Sequence, residues 1–274
     1  MTLHGSNKEV IGFCPLDQHT NKHIVWLKSF NPETQPPIEN STILTEDISV
    51  LERYGHSNSI LFCENRSRFQ VALVHSTFFN GASPYSENRA EFWRREGLSI
   101  SEGVYISEEA TIGKGTVIGP NVSIVKDVQI GENCFIDSNC VIGAKGLGLE
   151  WNGEKYLEFP QVCKVIIGDE CVIGPLSTIR RGALVDTIVS DHVQIGSLCN
   201  IGHNVKIGMG ALLTSSVCLS GSVTIGERAF LGVGCTVKNK IKVGARVTIG
   251  QGCVVVQDIT DDLTVVGNPA RIIS

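Results

Sequence analysis

Isoleucine stands at every sixth position from Ile106 through Ile112, Ile118, Ile124, Ile130 and Ile136 to Ile142. Four places after each of the first six comes a small or medium residue: Ala110, Thr116, Val122, Val128, Cys134 and Cys140. The period resumes at Ile167, Ile173, Ile179 and Val185, slips, and runs again from Val189 through Ile195, Ile201 and Ile207 to Val255. A helix repeats every 3.6 residues and a strand every second one, so neither accounts for a strict six. Short flat walls do, each one hexad long, with the apolar residue and its partner four places on both facing inward. Three walls close a triangular coil, and the pattern predicts a parallel β-helix whose coils bury a core only by stacking, about 4.8 Å apart. Glycine so often follows the apolar residue (113, 119, 131, 143, 168, 174) that a corner is expected there. A sandwich of separate strands would not hold phase for so long.

Residues 1–100 carry no hexads and read as a small α/β domain. Strands are expected at Glu9–Phe13, His23–Leu27, Thr42–Leu44 and Ser59–Phe62, with helices at Ser67–Phe79 and Glu87–Glu96. Residues 101–274 form the β-helix, so the chain is mainly β. The stretch 144–165, containing GLGLEWNGEKYLEFPQ, leaves the coil, and its aromatic residues predict a packed flap.

A net charge of −5 and a pI near 5.8 leave no basic footprint, which argues against a nucleic-acid partner. Six of the ten cysteines (Cys134, Cys140, Cys171, Cys199, Cys235 and Cys253) fall on the inward fourth place as small hydrophobes. Reduced core thiols, the lack of a signal-peptide pattern and the lack of an apolar run of membrane-spanning length lead to the expectation of a cytoplasmic protein. No metal is expected: no zinc-ligand spacing occurs, and His192 with His203 lacks the third histidine that a β-helical zinc site needs.

The stretch FPQVCKVIIGDECVIGPLSTIRRGALVDTIVSDHVQIGSLCNIGHNVKIG (159–208) strongly resembles the UDP-3-O-acylglucosamine N-acyltransferases of lipid A synthesis. The segments HIVWLKSFNPE (23–33) and FCENRSRFQVALVHSTFF (62–79) are more weakly similar to that family's amino-terminal domain. The resemblance implies a left-handed coil, a homotrimer with active sites between subunits, and a catalytic histidine at His203. Three departures stand against it. The flap reads Lys145-Gly146-Leu147-Gly148-Leu149 and lacks the family's acidic and aromatic residues; the place of its second histidine reads Val237-Lys238-Asn239-Lys240; and the terminal helices that receive an acyl carrier protein are missing. The ending VVGNPARII (265–273) is similar instead to coenzyme-A-dependent sugar acetyltransferases. Together these imply N-acylation of a nucleotide-linked amino sugar, a dTDP- or UDP-amino-deoxyhexose as in anthrose-type pathways of surface-glycan synthesis. Acyl-CoA would be the co-substrate, with no bound cofactor. The alternatives are the lipid A reaction itself, with acyl carrier protein as donor, and a non-catalytic trimeric scaffold.

His203 stands third in its hexad, where a side chain leaves the coil, and suits a general base. One and two coils further on are Gly221 and Asn239, so a slot for pantetheine is expected beside the imidazole, with the Gly221 N–H polarising the thioester carbonyl. Asn204 either orients the imidazole or merely tolerates a corner backbone. Lys238, Lys240, Lys242, Arg246 and Arg271 either meet the phosphates of coenzyme A or form a solvated face. Arg180 and Arg181 suit a diphosphate or an outer surface charge. By resemblance Trp26, Phe30 and Asn31 hold the nucleotide base; burial in the domain core is the competing account.

Overall fold

The computed structural model describes residues 2–4, 10, 12–14, 16, 20, 22–28, 37–79 and 87–274. It divides into two compact units, and the division is not linear: 1–82 group with 147–163, while 83–146 group with 164–274. The excursion from the coil thus belongs to the first unit, and the helix Ala90–Arg95 to the second.

The second unit is a left-handed parallel β-helix. Its first wall stacks Ile106, Ile124, Ile142, Ile179, Ile201, Leu219, Val237 and Val255 in register. The second stacks Ile112, Ile130, Ile167, Val189, Ile207, Ile225 and Val243. The third runs from Ile100 and Ile118 to Ile249 and Val265, and the antiparallel strand Arg271–Ile272 closes it. Of these stacked side chains, every one from Ile106 on is buried, at roughly 1.5–3 kcal/mol for each large aliphatic one.

Val185 departs from the hexad reading: it is exposed, and Val189 takes the inward place on the second wall. Glycine also has a different task from the one expected. A Cβ on Gly113 would lie 2.4 Å from the backbone of Gly131 one coil on, so these glycines permit coil-to-coil approach. The left-handed turn falls to the residue just before the inward fourth place. Asn121, Asn133, Asn139 and Asn204 take it with φ of 57°, 54°, 58° and 61°, as asparagine tolerates.

The inward cysteines do more than fill space. Cys134, Cys140, Cys171 and Cys199 donate their thiols to carbonyl oxygens of Gly168, Gly174, Ser190 and Thr214, each at 3.0–3.1 Å. Thr116 and Ser177 make the corresponding bonds at 2.9 Å. Burial pushes the Cys140 thiol up to about 11 and the Cys235 thiol up to about 12.

In the first unit a sheet pairs Gly12–Phe13, His23–Leu27, Thr42–Thr45 and Ser59–Phe62 in parallel, with Thr2–His4 antiparallel at the edge beside Ser59–Phe62. Ser67–Val74 is α-helical and continues as a π-helix over His75–Phe79. The helix Ile48–Tyr54, not expected from the sequence, is capped by Asp47, whose side chain accepts from Ser49 N–H at 3.0 Å. Leu149–Trp151 and Tyr156–Glu158 form a hairpin.

Candidate active site

The corner between the first and second walls carries every interruption of the hexads. Ile142 and Ile167 are separated by the long excursion; one coil on, Ile179 and Val189 enclose a shorter loop; one coil further the corner is simply Gly202, His203 and Asn204. The His203 side chain lies over the next coil, so that a Cβ added to Gly221 would meet Nε2 at 2.6 Å and Cε1 at 2.7 Å. The expected slot is therefore filled: the missing side chain at Gly221 makes room for the imidazole itself, not for a ligand beside it. Nδ1 is buried, and Nε2 is the ring nitrogen that faces Gly221.

Asn204 faces the backbone, not the imidazole. Its N–H donates to Thr187 Oγ1 at 2.9 Å, its Oδ1 accepts from Ala183 N–H at 2.7 Å, and its Nδ2 donates to Ser222 Oγ at 3.3 Å. Asn239 is exposed on the column that continues from His203 through Gly221 to Gln257. Three coil steps of about 4.8 Å put Gln257 roughly 14 Å from His203.

The five cations separate into two places. Lys238, Lys240 and Lys242 are exposed on one turn that stacks on residues 256–258: Lys238 N–H donates to Val255 O at 2.9 Å and Lys242 N–H to Asp258 Oδ1 at 2.8 Å. Arg271 is exposed and, with Val256, Gln257, Asp258, Ile259 and Val265, lines a cavity of about 180 Å³ below that turn. Arg246 is elsewhere, past the second wall. It holds Asp262 through two bonds of 2.6 and 2.7 Å, and the pairing keeps that carboxyl below its usual range. Its charge is thus already matched, and it does not join the lysines.

Arg180 donates to Lys145 O at 2.8 Å on the surface. Arg181 is 2% exposed and pairs with Asp127 at 2.7 Å, so it is part of the interior. His192 lies at a different corner from His203, 3.3 Å from Glu170. Among the described residues no group of three or more metal-binding side chains occurs, and no helix is long and apolar enough to cross a membrane.

In the first unit Phe30 and Asn31 lie outside the described residues. Trp26 is half-buried and meets Phe159 edge-on at 5.5 Å, while Arg68 lies 4.8 Å over the same ring and pairs with Glu150 at 2.5 Å. Trp26 Nε1 and Gln161 Oε1 are buried without a hydrogen-bond partner among the described residues. Arg68, Phe159 and Gln161 escaped sequence reasoning because only the fold brings the flap to Trp26. Thr187 escaped as a site residue because a break in the period hides which residue of the next coil its hydroxyl serves.

Residues 109–144 match the bacterial transferase hexapeptide model of six repeats, and 222–257 match the hexapeptide repeat of succinyl-transferase. Over these residues the chain carries hexapeptide repeats of the kind found in bacterial transferases. The chain is 43% identical over 84 residues to a UDP-3-O-acylglucosamine N-acyltransferase of Neisseria gonorrhoeae, which is 31% of this chain and 24% of that one. It is 40% identical over 82 residues to the enzyme of that name from Dechloromonas aromatica, 30% of this chain and 24% of the relative. The matches thus span about a quarter of the length of these curated relatives. Among solved structures, UDP-N-acetylglucosamine acyltransferase from Campylobacter jejuni is similar with a TM-score of 0.57 and 25% identity, covering 65% of this chain and 71% of that one.

Proposed function

We propose that this chain is an N-acyltransferase that moves an acyl group from acyl-CoA to the amine of a nucleotide-linked amino sugar. The observation that carries the reading is His203, seated on Gly221 at the one corner where the coil is interrupted, in a chain similar to enzymes named for N-acylation of a nucleotide sugar. The amine nitrogen attacks the thioester carbonyl while His203 Nε2 accepts its proton. The tetrahedral intermediate then collapses, the C–S bond breaks, and the proton returns to the leaving thiolate. A backbone N–H at this corner is assigned to the oxyanion.

Acyl-CoA is favoured as donor by the turn Lys238–Lys242 over the cavity at Gln257 and Arg271, on the same column as His203. Two coil steps of about 4.8 Å bring the lysine turn roughly 10 Å from His203 and three bring Gln257 roughly 14 Å from it, a span that suits an extended pantetheine arm with its phosphates between the lysines and Arg271. The nucleotide base is assigned to Trp26 and its neighbours within the first unit; the buried Arg181 is excluded from direct contact. A homotrimer is part of the same reading, supported by the exposed apolar residues Phe135, Leu212 and Phe230 on the third wall and Leu176 and Leu198 at its edge.

A second reading, favoured by the relatives' names, is UDP-3-O-acylglucosamine N-acylation with an acyl carrier protein as donor. Purified protein given acyl-CoA or acyl carrier protein, with a panel of UDP- and dTDP-linked amino sugars, separates them. Thiol release from acyl-CoA that depends on an amino sugar is the expected result. Release from acyl carrier protein alone moves the assignment to the second reading, and no release with either donor leaves a scaffold.

A further inference from the structure

The peptide that joins His203 to Asn204 is held at both ends. His203 O accepts from Ser222 N–H of the next coil at 2.8 Å, and Asn204 N–H donates to Thr187 Oγ1 of the coil before at 2.9 Å. The second bond is unlike those of neighbouring corners. There the residue in the left-handed turn donates to a backbone carbonyl one coil back: Leu198 to Pro175, Ser222 to His203, Lys240 to Gly221. Below Asn204 the corner carries the inserted loop, with Ile179 and Val189 ten residues apart where Ile201 and Ile207 are six apart. A hydroxyl takes the place of the carbonyl.

That loop is firmly built. Arg181, Gly182 and Ala183 are buried. Arg181 N–H donates to Ala144 O at 2.9 Å, and Lys164 N–H donates to Asp186 Oδ1 at 2.8 Å. Ala183 N–H then reaches up to Asn204 Oδ1 at 2.7 Å, and Thr187 itself is fully buried. One bond from this loop to the Asn204 side chain, and one from the Asn204 N–H to the strand residue that follows the loop, therefore hold Asn204 and with it the peptide from which the His203 side chain projects.

We propose that Thr187 is a positioning residue for His203, acting through Asn204, and that the 181–186 loop is its support. This rests on the reading of His203 as the base. Thr187→Val keeps the shape of the side chain and removes the acceptor, so the peptide turns and the imidazole leaves its seat on Gly221. Displacement of a catalytic group by about 1 Å costs on the order of a hundredfold in rate. Thr187→Val is expected to lower kcat by about ten- to a hundredfold with KM for both substrates unchanged, and Thr187→Ser to restore it.

The imidazole ¹⁵N resonances of His203, assigned by their loss in His203→Asn, report position without reference to activity. They are expected to move in Thr187→Val and to return in Thr187→Ser. If they move while kcat holds, the positioning role stands and it is the general-base assignment that fails. If neither moves, Thr187 does not position His203. Should Thr187→Val not fold, Asn204→Gly keeps the left-handed backbone, removes the bonds to Ala183 and Ser222, and is read the same way for the loop as support.

Discussion

At the residue scale, His203 and Gly221 form a unit in which one side chain occupies the space another lacks. If His203 takes the amine proton, His203→Asn lowers kcat by roughly 10²–10⁴, the usual worth of a positioned base, with little change in KM. The acidic limb of the pH–rate profile disappears with it. Activity within about tenfold of the parent would instead mean that the amine arrives neutral and that proximity and oxyanion stabilisation supply the rate. Gly221→Ala is the companion variant. Its methyl group meets the imidazole at 2.6 Å, so it should depress kcat while thermal unfolding shows the coil intact. Gly221 was legible as a neighbour of His203 from the period alone. That the imidazole itself fills the space depends on its rotamer, which the period does not contain.

At the element scale, the turn Lys238–Lys242 and the inward cysteines each make a separate expectation. Replacing Lys238, Lys240 and Lys242 together by alanine should raise KM for acyl-CoA more than it lowers kcat, because the loss falls on donor binding. Unchanged donor kinetics would return the lysines to the solvated face. Arg246→Ala belongs as a control, since Asp262 already holds that guanidinium. The cysteines bear on stability in alkali. The folded thiols of Cys140 and Cys235 titrate above the ordinary cysteine value of about 8.5, so their stabilising contribution is complete below that pH. It is lost as pH rises toward about 11 and 12. Cys235→Val places in the column the residue that Val217 already supplies one coil before, and its melting temperature should fall less steeply with alkaline pH than that of the parent. An equal slope would show that the thiol does not titrate on unfolding.

At the scale of the whole molecule, the third wall exposes Phe135, Leu212 and Phe230, and two leucines beside it, Leu176 and Leu198, hold φ of 61° and 59°. Bulky side chains in that backbone region are uncommon, and covering them in an assembly accounts for their exposure. Sedimentation at micromolar concentration should report three chains, and Leu212→Asp with Phe230→Asp should shift the protein to a smaller species. A parent that sediments as one chain would remove both the trimer and any site shared between subunits.

The period of six, read over more than a hundred residues, was enough to determine the β-helix, its inward columns and the neighbours of His203 along the coil axis. A repeat of fixed length converts position in sequence directly into position in space. The interruptions break that conversion. Where the coil is left at 144–165 and 181–186, sequence distance no longer measures spatial distance, so Val185 was read as inward and Arg181 as an open cation. Only the tertiary structure showed the flap joined to the first unit, Arg181 buried against Asp127, Arg246 matched by Asp262, and Thr187 standing in for a backbone carbonyl under the corner of His203. Each of these is decided by contacts between segments whose separation along the chain has no period.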